Sequence, residues 1–414
     1  MGRNRLASQF AWVSAGRLAG ALIQAVTLLL LARDLGPDGF GTFSAAFGTA
    51  IVFQASLDLG IATLVVKERS ANTCSPLIYS ALCLTDRLGM ALLVLAALPL
   101  LALAVLLDPF FYLLLPLAVW AAAERQADVW LSVPLADGDA KFNTQNLLIR
   151  RAATALLYII GVSAGFDAAL SFSTSMALTS LISYVVVRLF VTARIETSLP
   201  RTPIKTIIGK SWPYWLNSLG VQARNLDSLI VSMVAGAGQA GFYAATSRAT
   251  GPLRILSTSM AAVLLPASSA KGPRELQRLL RLVGIFAVCS SALYGGLIVI
   301  VPAAVDLFLG EIYRGAIFPL QIVLAGLVFA GVASLFTSML QGVGLQLFVA
   351  KTAVATTIIC LLFVFLGGLA AGAVGAALAL TVSFVVQVII LATRLISYTR
   401  EAAAPRRSAQ FTRM

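Results

Sequence analysis

Twelve apolar stretches, each long enough to cross a bilayer, fill nearly the whole of this 414-residue chain. A crossing helix needs about 20 predominantly apolar residues. The sequence predicts such spans at 10–31, 40–61, 88–107, 110–135, 146–165, 168–191, 211–235, 241–265, 279–302, 315–340, 351–368 and 372–393. With 59% hydrophobic and 11% charged residues, the chain carries more apolar surface than a soluble interior holds, whereas a bilayer accepts it. The expected fold is therefore all-α, a polytopic membrane protein whose connections are too short to house a soluble domain. The apolar run from Phe10 is too long for a signal-peptide core, and Arg17 interrupts it, so no cleavable signal is expected.

The basic charge has a direction. With the N-terminus in the cytoplasm, the termini and even-numbered loops hold Arg3, Arg5, Lys67, Arg69, Lys141, Arg194, Arg201, Lys205, Lys210, Lys271, Arg274, Arg278, Lys351, Arg400, Arg406 and Arg407. The opposite loops keep Arg33 and Arg314 beside Asp34, Asp38, Asp108, Asp167, Asp306 and Glu311. Lysine and arginine concentrate on the cytoplasmic side of membrane proteins, so both termini are expected inside. Charges dispersed over short loops form no patch for nucleic acid. Cys74, Cys83, Cys289 and Cys360 show no CxxC spacing and the chain has no histidine, which disfavours a zinc site, a structural disulfide and histidine-based nucleophilic catalysis. No catalytic residue, cofactor or metal is expected. Without a GxxxxGK[ST] loop, ATP is not expected to drive the protein directly.

The chain reads as one six-helix unit used twice. Gly39-Phe40 after span 1 aligns with Gly241-Phe242 after span 7 at an offset of about 202 residues, and two further loops agree. The basic loop with Lys67 and Arg69 meets that with Lys271 and Arg274; Leu135-Ala136-Asp137-Gly138 meets Leu340-Gln341-Gly342. Six is even, so both copies insert with the same orientation and relate by an axis along the membrane normal. The expected division is an N-terminal six-helix lobe at 1–192, a cytoplasmic linker at 193–206, a C-terminal six-helix lobe at 207–396 and a basic tail at 397–414, with a central cavity between the lobes.

Charges at membrane depth cost a few kcal/mol each and usually face one another or a water-filled path. Asn217, Gly220, Arg224 and Asp227 share one face of span 7 at helical spacing. Span 1 offers Arg17, span 2 Asp58, span 4 Glu124, Arg125 and Asp128, and span 8 Arg248 and Arg254. Pairs three apart, Arg224 with Asp227 and Arg125 with Asp128, have a structural reading as local ion pairs. Arg17, Arg248 and Arg254 have no acid within one turn, and their guanidinium forks match phosphate oxygens. The cationic candidates for substrate binding are Arg17, Arg224, Arg248 and Arg254. The ion-coupling candidates are Asp58, Glu124, Asp128 and Asp227.

The segment Leu31-Ala32-Arg33-Asp34-Leu35-Gly36-Pro37-Asp38-Gly39-Phe40-Gly41-Thr42-Phe43-Ser44, followed by Leu57-Asp58-Leu59-Gly60-Ile61, resembles the opening of the polysaccharide-exporter and oligosaccharide-flippase family, O-antigen Wzx-type. Asp227, Gly241-Phe242-Tyr243 and Pro266 are similar in type and order to that family's span 7–8 pattern. The resemblance covers essentially the whole chain. It implies a bacterial inner-membrane protein of the multidrug/oligosaccharidyl-lipid/polysaccharide exporter fold, flipping an undecaprenyl-pyrophosphate-linked oligosaccharide outward by alternating access for surface polysaccharide biosynthesis. Some relatives have fourteen spans, and features carried by the extra helices do not transfer. Partners so implied are the lipid-linked oligosaccharide, membrane lipid, H+ or Na+, and a polysaccharide polymerase with its co-polymerase. Two alternatives stand beside this reading: an ion-coupled small-molecule or multidrug antiporter of the same fold, and a membrane enzyme of glycan assembly, a polymerase or glycosyltransferase. Arginines outnumber acids at mid-depth, which speaks against the first. The absence of histidine and of a sizeable external loop speaks against the second.

Overall fold

A computed structural model describes residues 3–198, 200–269 and 273–403, and every element among them is helical. Lys271 and residues 404–414 of the basic tail lie outside the described residues. The chain crosses back and forth twelve times. Spans 1 and 2 form one helical run, Arg3–Asp58, interrupted at Gly36, whose φ of 68° and ψ of 174° suit a residue without Cβ. Spans 11 and 12 share Gln346–Ala403, interrupted at Ala371 and Gly372. Spans 3 (Pro76–Leu106), 5 (Ala140–Ser163), 6 (Ala168–Thr192), 9 (Pro273–Phe308) and 10 (Ile317–Gly342) are unbroken.

The other three crossings are built from pieces. Span 4 joins Pro116–Trp130 to Ser132–Ala136, and span 8 joins Ala237–Thr250 to Arg254–Ser269. Span 7 runs through Ile204–Gln222, a 3-10 turn at Ala223–Leu226, and Asp227–Ala235. Seven helices among the described residues are long and apolar enough to cross a membrane by themselves, and the two interrupted runs each supply two crossings. The pieced spans fall short of that test mainly by length, since five of their six helical pieces have fewer than eighteen residues.

Most helices overrun the expected spans, and two of the overruns involve charged residues. Span 3 begins at Pro76, twelve residues before the expected 88, and span 5 at Ala140, six before the expected 146. Asp86 and Arg150 look like span ends in the sequence, yet the helices continue through them because both are partnered. The Trp130 indole donates to Asp86 at 3.0 Å, and Arg150 meets two carboxylates of span 4.

The lobes meet as a two-fold pair. A Cβ on Gly41 would fall 1.8 Å from the Ala237 carbonyl oxygen, and one on Gly241 would fall 1.9 Å from that of Pro37. Such reciprocal contact marks a self-complementary interface. A shift of 200 residues carries Pro37 to Ala237 and Gly41 to Gly241, so the register of the repeat is 200 here, not the expected 202. At this end one apolar core serves both lobes. Phe40, Phe43, Phe47 and Trp120 form a stacked ladder in it, and the Tyr313 hydroxyl donates to Ala32 O at 2.7 Å across the lobes. Toward the termini the cores separate: one gathers span 2–6 residues with Ile207, another gathers Ala261, Leu264, Met339 and Leu395. There the lobes are bridged beside span 2, where the Trp215 indole donates to Ala55 O and Ser56 O and Lys210 meets Glu68 at 3.0 Å. The molecule is closed at the Gly36 end and divided toward the termini.

Candidate functional site, two charge clusters at mid-depth

In the N-terminal lobe every candidate acid is held by arginine. Glu124 and Asp128 sit one turn apart on span 4 and face Arg150 and Arg151 of span 5. Arg150 lies 3.2 Å from Glu124 and 2.8 Å from Asp128; Arg151 lies 2.9 Å from Glu124, which also accepts from the Ser180 hydroxyl at 2.7 Å. Arg125 pairs with Asp58 of span 2. The expected local pair of Arg125 with Asp128 is replaced by two pairs across helices, Arg125 with Asp58 and Asp128 with Arg150. Three carboxylates balance three guanidinium groups. The Arg150 side chain is 3% exposed, a burial tolerated because the charge is neutralised and hydrogen-bonded.

The C-terminal lobe is arranged otherwise. At the 3-10 turn of span 7, Arg224 donates from Nε to Thr357 Oγ1 at 3.2 Å, and from Nη2 to Thr356 Oγ1 and Gln387 Oε1 at 3.4 Å each. The turn has a local cause. A Cβ on Gly48 would fall 2.3 Å from Asn225 O, so span 2 runs hard against it, and the Thr357 hydroxyl satisfies the Gly220 carbonyl at 3.1 Å. In span 8, Pro252 has no N–H to continue the helix, and the chain turns at 251–253 before Arg254 opens a new helix. Arg224 and Arg254 approach the same Phe384 ring, at 5.8 and 5.7 Å from its centroid. They line a cavity of about 290 Å³ with Ser257, Thr258, Tyr294, Ser334, Thr337 and Gln387.

Asp227 does not neutralise Arg224 as a local pair. It accepts from the Tyr243 hydroxyl at 2.9 Å and from the Ser228 N–H at 2.6 Å. Arg248 lies over Phe47 of the other lobe, 5.0 Å from the ring centroid. Among the described residues, Arg224, Arg248 and Arg254 have no carboxylate within the 4.0 Å of an ion pair. Arg17 stands apart from this cluster. It is exposed on span 1, nineteen residues from the Gly36 break and so about 28 Å along the helix, toward the terminal end. Arg224 and Arg248 are each twelve residues from Gly236, about 18 Å, near mid-depth.

Six contributors were not legible as site residues. Arg150 and Arg151 look like a span end in the sequence. Thr356, Thr357, Gln387 and Phe384 sit in spans 11 and 12, whose apolar sequence gives no sign that they receive a guanidinium. Two apolar clefts flank the lobe seam as a two-fold pair: one of about 380 Å³ between span 1 and spans 8–10, the other of about 420 Å³ between span 7 and spans 2–4.

Residues 30–318 match a protein family described as polysaccharide biosynthesis protein. No curated protein matches the chain in sequence. Among solved structures, it is similar to the inward-facing conformation of a multidrug resistance MATE family transporter of the MOP superfamily, with 16% identity, TM-score 0.73, and 93% and 96% of the two chains covered. It is also similar to the lipid II flippase MurJ in an inward closed conformation, with 12% identity, TM-score 0.72, and 94% and 89% covered. A third neighbour is a MOP superfamily transporter from Pyrococcus furiosus whose binding pocket is described as having reverse polarity, with 16% identity, TM-score 0.67, and 95% and 96% covered. These likenesses establish the twelve-helix transporter fold.

Proposed function

The chain belongs to the polysaccharide biosynthesis protein family, and from that premise we propose that it flips a lipid-linked oligosaccharide, joined through undecaprenyl pyrophosphate, across the bacterial inner membrane by alternating access. The observation that carries the reading is the uncompensated charge of the C-terminal lobe. Arg224, Arg248 and Arg254 face one carboxylate, Asp227, and the helix Arg254–Ser269 begins with its positive dipole end at the cavity. A cation at a helix N-terminus is unfavourable unless an anion joins them, and a pyrophosphate supplies one. The seam clefts support a substrate with a hydrocarbon tail, because their apolar walls let the tail stay in the bilayer while the head group passes between the lobes. In this reading Arg17, on the terminal side of span 1, meets the anion before Arg224 does.

In this reading both termini are cytoplasmic, transport runs outward, and a polymerase with its co-polymerase receives the product. Coupling to H+ or Na+ falls to Asp227. Asp58, Glu124 and Asp128, the other candidates, are already engaged by arginines. Arg224→Ala should abolish glycan export with protein level and insertion unchanged. Arg224→Lys should restore only part of it, since an ammonium lacks the bidentate fork. Because Arg224 and Asp227 do not pair, Arg224→Ala/Asp227→Ala should stay inactive, and full recovery in the double variant would overturn the substrate role. Cysteines at Asp38, Asp167 or Gln239 should react with an impermeant reagent from outside the cell; labelling from the cytoplasmic side would reverse the orientation.

A further inference from the structure

A cleft unrelated to the lobe seam lies on the outer flank of the N-terminal lobe. Spans 3, 4 and 6 enclose about 370 Å³ there. The cleft exists because Gly89 lets span 3 approach span 4 closely; a Cβ on it would fall 2.2 Å from Gln126 Nε2. Its walls away from the termini are apolar, with Met90, Leu93, Val119 and Leu181, and Met90 and Leu181 are exposed on the surface that meets hydrocarbon. Its end toward the termini is polar, with Asp86, Tyr184 and Arg188. Arg188 is four residues from the end of span 6 at Thr192, about 6 Å along the helix, and so at head-group level.

The polar end holds a cation in a long ion pair, Arg188 with Asp86, that leaves its hydrogen-bonding fork largely unused. Asp86 is satisfied by the Trp130 indole, and Arg188 stands 3.6 Å from it, beyond hydrogen-bond reach. Arg188 uses one donor on the Tyr184 hydroxyl, at 3.1 Å, and lies over the Trp130 and Tyr184 rings at 5.8 Å each. Its side chain is 53% exposed, leaving most of the fork accessible at the cleft. Arg201 lies toward the same end, next to Thr202, whose N–H donates to Ser80 Oγ of span 3 at 2.9 Å, so two arginines stand against Asp86 on this flank.

We propose that this cleft binds an anionic glycerophospholipid from the surrounding bilayer, the phosphate on Arg188 and one acyl chain between spans 3 and 6. The site is separate from the proposed transport path and does not rest on it. A zwitterionic lipid carries its own cation at the head and gains less from Arg188 and Arg201.

The test is lipid retention by the intact chain in detergent, followed by native mass spectrometry with added phosphatidylglycerol or phosphatidylcholine. Phosphatidylglycerol should bind about tenfold more tightly, the scale of a charge-assisted hydrogen bond. Arg188→Gln should erase that preference, Arg188→Lys should keep most of it, and Leu181→Trp should weaken both lipids by filling the cleft. In the wild-type protein, phosphatidylglycerol with a photoreactive acyl chain should cross-link to peptides bearing Met90 or Leu181, a readout that needs no variant to fold. Equal retention by wild type and Arg188→Gln would overturn the proposal. So would displacement of phosphatidylglycerol from the Leu181 cross-link by undecaprenyl phosphate, which would give the cleft to the carrier lipid instead.

Discussion

The two lobes solve the same problem, arginines at mid-depth, in opposite ways. In the N-terminal lobe, Arg125, Arg150 and Arg151 meet Asp58, Glu124 and Asp128 and the cluster is neutral. In the C-terminal lobe, Arg224 rests on hydroxyls and an amide, Arg248 and Arg254 lie over aromatic rings, and the one nearby carboxylate is capped by Tyr243. A closed ion-pair network holds helices in place and leaves nothing to offer a ligand. Guanidinium groups held by neutral partners stay fixed in position and keep their charge available. The difference teaches that burial of a charge in a repeat protein does not by itself mark a site; what marks it is the nature of the partners.

The sharpest way to break this comparison is to remove one arginine from each lobe. Arg150→Ala removes the partner of Asp128 and leaves Glu124 to Arg151 and Ser180, and should cost about 3 kcal/mol of stability, the low end of the penalty for half of a buried pair. Arg224→Ala should cost about 1 kcal/mol, a value typical of single substitutions. Thr356 retains its bond to Thr352 O and Thr357 its bond to Gly220 O. Thermal unfolding of both in detergent decides, and equal losses would erase the distinction. A smaller effect is expected from a cycle on Asp58→Asn and Arg125→Gln. Each alone should destabilise more than the pair together, with a coupling of about 1–3 kcal/mol; additive losses would show that the pair does not contribute. The smallest sharpens the C-terminal side. Phe384→Leu removes the buried ring shared by Arg224 and Arg254, a cation–π contribution of about 1–2 kcal/mol for each cation. Export should fall several-fold while the unfolding temperature moves little, and a large drop in stability with normal export would make Phe384 a packing residue only.

Much of the fold was legible because its signal is length and apolarity. The twelve crossings and the repeat follow from runs of residues and from glycines such as Gly39 and Gly241. Pairings across helices were not, because a sequence displays neighbours three or four apart and hides those brought together from different spans. Arg125 with Asp58 and Arg150 with Asp128 are of that kind. The acceptors of Arg224 were hidden further, since Thr356, Thr357 and Gln387 are uncharged and sit within otherwise apolar helices. The register of the repeat, 200 and not 202, came from the crossing of Gly41 and Gly241, a contact with no sequence trace.

The pairing of span 4 with spans 2 and 5 bears on how the protein is made. Acids and arginines at a helix centre each oppose partitioning by about 2.5–3.5 kcal/mol. Span 4 presents Glu124, Arg125 and Asp128 together, on a helix of fifteen residues from Pro116 to Trp130. Emerging alone from the insertion machinery, it has little reason to leave the aqueous channel for lipid. Its countercharges are Asp58, which precedes it in the chain, and Arg150 and Arg151, which are synthesised after it. Span 4 must therefore wait for span 5 and enter the bilayer as half of a hairpin, so that a nascent chain stopped before Arg150 would leave it outside.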